Sequence, residues 1–501
     1  MNANDLPGEG ASLWLETTEE TDYGSLETGV DVDVAIVGGG IAGLSTAAEL
    51  MDSEKTVAVL EADRVCSGVT ARTTAKLTSQ HGLKYDRIRS RFGRERARQY
   101  AAANEAAIET VAERATTIDC DFRRRPAYTY VSDENDRKDV RREVDAARSV
   151  GLPASFVEEV PTVSDAVAGV RFDDQAQFHP RKYLLGVAEE IAAGGCDIFE
   201  GTRVTDVRPG SPCEVETEGG TVTATDVVLA SHFPILDPAG YFARNYPKRS
   251  YVLAVRTRDP KPEGMFYRSG EPYFSVRQHE TEGESFLLVG GQNHKTGQGG
   301  STADRYRALE REARRRFDVE EVAYRWSTQD YRSVDGMPFV GRAAPWRKHV
   351  YVATGFGGWG MSGGIAAGRV LAEEIAGDGS EWADAFDPGR LPPLSDLPSL
   401  AGENANVGKR FVEDWVSKPS KAGASLARGE ARVVREDGTP VAEYRDDGGE
   451  RHRVSAVCPH LKCVVAWNDA EKSWDCPCHG SRFDYDGTLL GGPAVRDLQK
   501  E

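Results

Sequence analysis

Six cysteine and histidine side chains fall between positions 458 and 479: Cys458, His460 and Cys463 in one short run, and Cys476, Cys478 and His479 in another. The other four cysteines, Cys66, Cys120, Cys196 and Cys213, are scattered and read as ordinary thiols. Clustered thiols beside imidazoles indicate metal binding before a disulfide scaffold, so the end of the chain is expected to fold around a metal centre. These ligand types suit a Cys2His2 zinc site as well as an iron–sulfur centre of mixed ligation. The residues from about 425 onward are strand-rich, which gives this centre a small all-β unit of its own.

A second constraint lies near the other end. The run 31–37 is short, continuous and β-branched, as a strand buried on both faces requires. Gly38, Gly40 and Gly43 follow in a Gly-x-Gly-x-x-Gly turn that opens a helix-like stretch, and a second strand at 56–60 ends in Glu61. In such a β-α-β unit the first glycine permits the tight turn, and the second lets backbone approach a pyrophosphate. The third lets helix and strand pack closely, and the acidic residue accepts hydrogen bonds from a ribose. The unit therefore predicts a dinucleotide site.

The glycine-rich turn 354–361, with Asp335, Gly336, Met337, Pro338 and Gly341 before it, resembles the second flavin-contacting region of FAD-dependent oxidoreductases in the D-amino acid oxidase and sarcosine oxidase superfamily. Thr202, Arg203 and Val204 and the strand end Ala230-Ser231 resemble that family's middle segments, where backbone around a valine holds the adenine. The resemblance spans roughly 31–376. It implies FAD bound by Gly38, Gly40, Gly43, Glu61, Val204, Gly355, Gly357, Gly358 and Met361, in an α/β Rossmann-like domain interrupted by an α+β substrate domain. A nicotinamide-binding unit is the other reading of the first glycine turn; beyond the turn at 354–361, assigned to the flavin by resemblance, no further Gly-x-Gly-x-x-Gly unit is read for a pyridine nucleotide. The run 68–76 occupies the family position that passes the flavin ring. Arg72 and Lys76 there are candidates for flavin or substrate contacts, or for pairing with surface acids, and His81 is a candidate base or a structural histidine. Tyr251 and Arg332, with Tyr273, Arg277, His294 and Lys295, are candidates in the substrate half; an arginine clamps a carboxylate because its guanidinium reaches both oxygens.

The two Cys/His runs, the second continuing into Gly480-Ser481, resemble the Rieske [2Fe–2S] family over about 425–501. That resemblance makes Cys458, His460, Cys476 and His479 the ligands. It matches Cys463 and Cys478 to a disulfide joining the two loops, and Gly491-Gly492-Pro493-Ala494 to a third loop over the cluster. Phe483 stands where high-potential relatives place a tyrosine, which implies a lower potential. The domain layout expected is an N-terminal arm at 1–30, the oxidoreductase unit at 31–386, a linker at 387–424 and the Rieske unit at 425–501. Within the oxidoreductase, FAD-binding parts at about 31–85, 171–236 and 335–376 alternate with substrate parts at about 86–170 and 237–334.

Together the two resemblances imply oxidation of a small organic substrate, an amine or amino acid, by hydride transfer to FAD, with electrons passed to the cluster and to an external acceptor. An electron-transfer component working between protein partners, with no small substrate, and a redox-sensing module without turnover remain open. The charge of −18, from 80 acidic against 62 basic side chains, disfavours nucleic acid or an anionic membrane as partner. No apolar run approaches the ~18–20 residues of a membrane span. The first five residues lack the features of a secretory signal, so a cytoplasmic location is expected. Only 15 of the basic residues are lysine; this resembles proteins of salt-loving archaea, although an acidic protein from a GC-rich genome would look the same.

Overall fold

The computed structural model describes residues 6–416 and 425–501. Strand Val30–Val37 lies at the centre of a mainly parallel sheet, between Thr221–Leu229 and Val57–Leu60. Asp197–Phe199 and Val350–Thr354 extend the parallel pairing on the two sides. Val34, Ala35 and Ile36 are fully buried, because helices such as Ile41–Leu50 and Gly360–Ala376 cover one face while a second apolar cluster fills the other. Burial on both faces is why this strand reads as a continuous apolar run.

A second sheet of eight strands, built mostly from antiparallel pairs, stands beside the first. Its longest pair is Asn245–Thr257 against Val319–Ser333, and helix Thr302–Arg316 packs on it through Tyr306, Leu309 and Ala313. The stretch 86–149 holds helices Tyr85–Arg114 and Arg137–Ser149 and also the strand Ala127–Val131. That strand is buried throughout and pairs with Met265–Arg268, a partner far away in sequence. A five-residue apolar run carries too little periodicity to reveal such pairing.

The N-terminal stretch is more than an extended arm. It contains the short helix Leu13–Glu16, whose Leu13 and Trp14 are wholly buried. Trp14 donates its indole N–H to the Thr73 carbonyl at 2.8 Å and packs edge-on to His179 and His279. One aromatic anchor suffices to dock an otherwise polar stretch, and a single residue leaves no pattern to read. Helix Leu397–Val416 occupies about half of the expected linker at 387–424, with Pro398 tolerated in its first turn. The end of the expected linker, 417–424, and the first five residues of the arm lie outside the described residues.

The C-terminal body has one sheet of three strands, Ala431–Glu436, Thr439–Arg445 and Arg451–Ser455, and one of four short strands between Ala466 and Gly491. It is fastened to the larger body by charge and by helix capping. Asp469 accepts the Thr302 and Ala303 N–H groups at 2.8 and 3.1 Å, at the start of helix Thr302–Arg316. Glu471 pairs with Arg249 of the larger body and with Arg482 of its own, and accepts from Ser327. Burial opposes its ionisation, but the two guanidinium groups outweigh burial and hold its carboxyl down at about 2. Among the described residues no helix is long and apolar enough to cross a membrane.

Candidate active site and metal centre

A cavity of about 500 Å³ opens at the C-terminal ends of the parallel strands, where Gly38, Gly40, Glu61, Val204, Gly357 and Met361 line it, and Gly358 beside them. Local geometry explains the glycines. Gly38 has φ of +111° and its backbone passes so close to the next strand that a β-carbon would lie 2.7 Å from the Ala230 carbonyl oxygen. Gly43 does not line the cavity; a β-carbon there would strike the Gly38 carbonyl, so it serves the helix–strand packing. Gly355 is likewise behind the wall, turning the chain at φ +81° so that its successors face inward. The Glu61 carboxylate accepts from the Gly39 N–H at 2.7 Å, and burial pushes its pKa up. A desolvated carboxylate on a cavity wall is a fitting acceptor for ribose hydroxyls, so these residues fit an FAD.

The same cavity gathers polar side chains from the second sheet. Lys76 donates to Ser275 Oγ at 2.8 Å, and burial with the nearby Arg277 lowers its pKa to about 7. Arg332 faces the cavity beside Tyr267, and its Nε is buried without a hydrogen-bond partner among the described residues. Asp330 lies on the same wall; burial raises it to about 6 against the pull of Arg332 and the Gly358 N–H. Arg72 lines the cavity too, but its guanidinium is tied back to the Ser67 and Gly68 carbonyls.

Five expected candidates sit elsewhere: Tyr251 and His81, and also Arg277, His294 and Lys295. Tyr251 points away because Ser250 and Val252, its neighbours on a strand of alternating faces, are the ones lining the cavity. Its hydroxyl meets His294 Nε2 at 3.0 Å inside the sheet's own core. His81 is one layer behind the wall, stacked at 4.7 Å on Trp359, with its nitrogens engaged by Tyr100 and by the Thr78 carbonyl and Ser362. Asp330, Tyr267 and Ser275 were not singled out from the sequence; only their position on strands facing the cavity marks them.

In the C-terminal body, Cys458 and Cys476 are buried free thiols that hydrogen-bond each other, and Ser481 bonds the Cys458 sulfur. The His460 and His479 rings stand 5.1 Å apart at 88°. Burial lowers both to about 4, so each is a neutral imidazole at neutral pH, the form that ligates. His479 Nδ1 is buried with no hydrogen-bond partner among the described residues, as an atom reserved for a metal is. Cys463 and Cys478 are joined in a disulfide that links the two loops. Two thiols, two neutral imidazoles and an orphaned ring nitrogen fit a [2Fe–2S] cluster of mixed ligation.

Cavity and metal centre adjoin. Leu490, Gly491, Gly492 and Ala494 of the C-terminal body help to line the cavity. Phe233 lines it from the other side and meets the His460 ring at 6.4 Å. The strand Val319–Ser333 runs between, turning Asp330 and Arg332 to the cavity and Tyr331 to the carbonyl of His479.

Residues 33–374 match the family model "FAD dependent oxidoreductase", and residues 418–500 match "Rieske [2Fe-2S] domain". The chain is 35% identical over 493 residues to the putative Rieske 2Fe-2S iron-sulfur protein YhfW of Bacillus subtilis, covering 98% of this chain and 97% of that one. It is 25% identical to gamma-glutamylputrescine oxidoreductase of Escherichia coli over 73% of this chain and 88% of that protein. In fold, the larger body is similar to glycine oxidase from Geobacillus kaustophilus, with a TM-score of 0.60, 24% identity, and coverage of 72% of this chain and 99% of that one. A glycine turn on a parallel sheet, shared with flavoenzymes, and a Cys/His centre docked on its cavity thus have one explanation: the chain belongs to the FAD-dependent oxidoreductase family and carries a C-terminal Rieske [2Fe–2S] domain.

Proposed function

We propose that the enzyme oxidises a small amine or amino acid and hands the electrons from flavin to cluster within one chain, for delivery to an external acceptor. Gly38, Gly40, Glu61, Val204, Gly357, Gly358 and Met361 hold the FAD, and Cys458, His460, Cys476 and His479 hold the cluster. When bound, FAD supplies a two-electron hydride acceptor and the cluster a one-electron carrier. Arg332 orients the substrate: its guanidinium, partly exposed and 3.9 Å from Glu271, has an Nε without a partner among the described residues and can bind a carboxylate. Lys76, poised near pH 7, takes the proton from the substrate ammonium, so that the nitrogen lone pair is free to assist loss of hydride from the neighbouring carbon. Trp359, Phe356 and Tyr267 on the cavity wall exclude water from that carbon.

The observation that carries this reading is the grouping of Arg332 and Lys76 with the dinucleotide-binding segments in one cavity. The names of two relatives, which mention glutamylputrescine and glycine, support an amine or amino acid as substrate class. The test is an anaerobic screen of amines, amino acids and hydroxy acids, read by flavin absorbance and by the EPR signal of the reduced cluster. An amino compound should bleach the flavin and then reduce the cluster. In Arg332→Met, KM for a carboxylate-bearing substrate should rise by about a hundredfold, the loss of one charged hydrogen-bonding contact of about 3 kcal/mol. Flavin that no small molecule reduces, but a partner protein does, would make the chain an electron-transfer component instead.

A further inference from the structure

Three carbonyl groups of the loop 476–481 accept hydrogen bonds from side chains of the flavin domain. Gln298 Nε2 donates to the Pro477 carbonyl at 3.0 Å, the Tyr331 hydroxyl to that of His479 at 2.9 Å, and Gln329 Nε2 to that of Gly480 at 2.8 Å. The orientation of the Gln329 amide is fixed, because Thr296 Oγ1 donates to its Oε1 at 2.8 Å. Tyr331 is 1% exposed, so water does not compete for its bond. The approach is close as well: a β-carbon on Gly480 would stand 2.7 Å from Gln329 Nε2 and from Pro247.

Of the peptide units that receive these bonds, one meets a ligand sulfur and another ties the ligand loop to itself. The N–H of Cys478, in the same peptide unit as the Pro477 carbonyl, bonds the sulfur of Cys476. The N–H of Gly480, in the unit of the His479 carbonyl, donates to the Cys476 carbonyl at 3.0 Å. A donor on a peptide oxygen polarises that peptide and strengthens the bond its N–H makes. Reduction adds a negative charge to the cluster, and strengthened donors around a ligand sulfur favour the more negative state.

We infer that Gln298, Gln329 and Tyr331 are positioning residues of the flavin domain that raise the reduction potential of the cluster through the peptide units of the loop 476–481. The inference rests on the ligand set proposed above. Docking of the two domains thereby sets the cluster's affinity for electrons, and the flavin domain tunes the centre it adjoins.

The test uses the full-length holoprotein and its Tyr331→Phe and Gln298→Met variants in an anaerobic redox titration followed by cluster EPR. Each variant should lower the reduced-to-oxidised ratio of the cluster at the wild-type midpoint by about threefold to tenfold, the weight of one hydrogen bond. The g-values should change and the flavin midpoint should stay fixed. Gln298 is only partly buried, so its variant decides the matter if Tyr331→Phe fails to retain the cluster. A cluster with unaltered midpoint and g-values in the variants that retain it overturns the inference alone. A wild-type chain without iron and labile sulfide overturns the ligand set and the inference with it.

Discussion

Lys76 is a buried amine in a cavity that also holds Arg332, with Arg277 close by, and this crowding makes it useful. Below about pH 7 its Nζ keeps the proton and cannot accept another; above it the free amine predominates. The rate of flavin reduction by substrate should therefore climb as pH rises through about 7, and stopped-flow measurement should find that limb missing in Lys76→Met. Side chains of this kind were partly legible in the sequence. Cys458, His460, Cys476 and His479, proposed as ligands, were reached through a family resemblance carried by two short runs, and Gly38 and Glu61 through the spacing of one β-α-β turn. Tyr251 and His81 looked equally reactive, yet strand alternation turns the first into a core and a layer of packing hides the second. Asp330, Gln329 and Tyr331 acquire their roles only through a strand pairing and a domain contact that no short window contains.

At the scale of elements, helix Thr302–Arg316 borrows part of its cap. Ser301 occupies the N-cap and bonds Asp304 N, while Asp469 of the Rieske domain takes the Thr302 and Ala303 N–H groups. A carboxylate at a helix N-terminus satisfies orphan donors and opposes the positive end of the dipole. Asp469→Ala should lower stability by about 1 kcal/mol in urea unfolding monitored by CD. Unfolding of the two domains should also become less cooperative, since the same residue bonds across their contact. The parallel strands and the glycine turns were readable because burial on both faces and tight turns demand particular residues. The strand Ala127–Val131 and the docked Trp14 were not, since their partners lie far along the chain.

For the whole molecule, a charge of −18 is a global repulsion that the local ion pairs leave in place. Raising KCl from about 0.1 M to about 1 M shortens the screening length from about 10 Å to about 3 Å, which relieves that repulsion. The Tm of the holoprotein should rise across this range in a thermal melt followed by CD; a fall would mean that attractive pairs such as Glu471 with Arg249 and Arg482 outweigh the net charge.

The residues Leu490, Gly491, Gly492 and Ala494 of the Rieske domain supply part of the wall of the flavin cavity. A prosthetic group seated there would be fully walled in only while the two domains are docked, so the second centre doubles as masonry for the first.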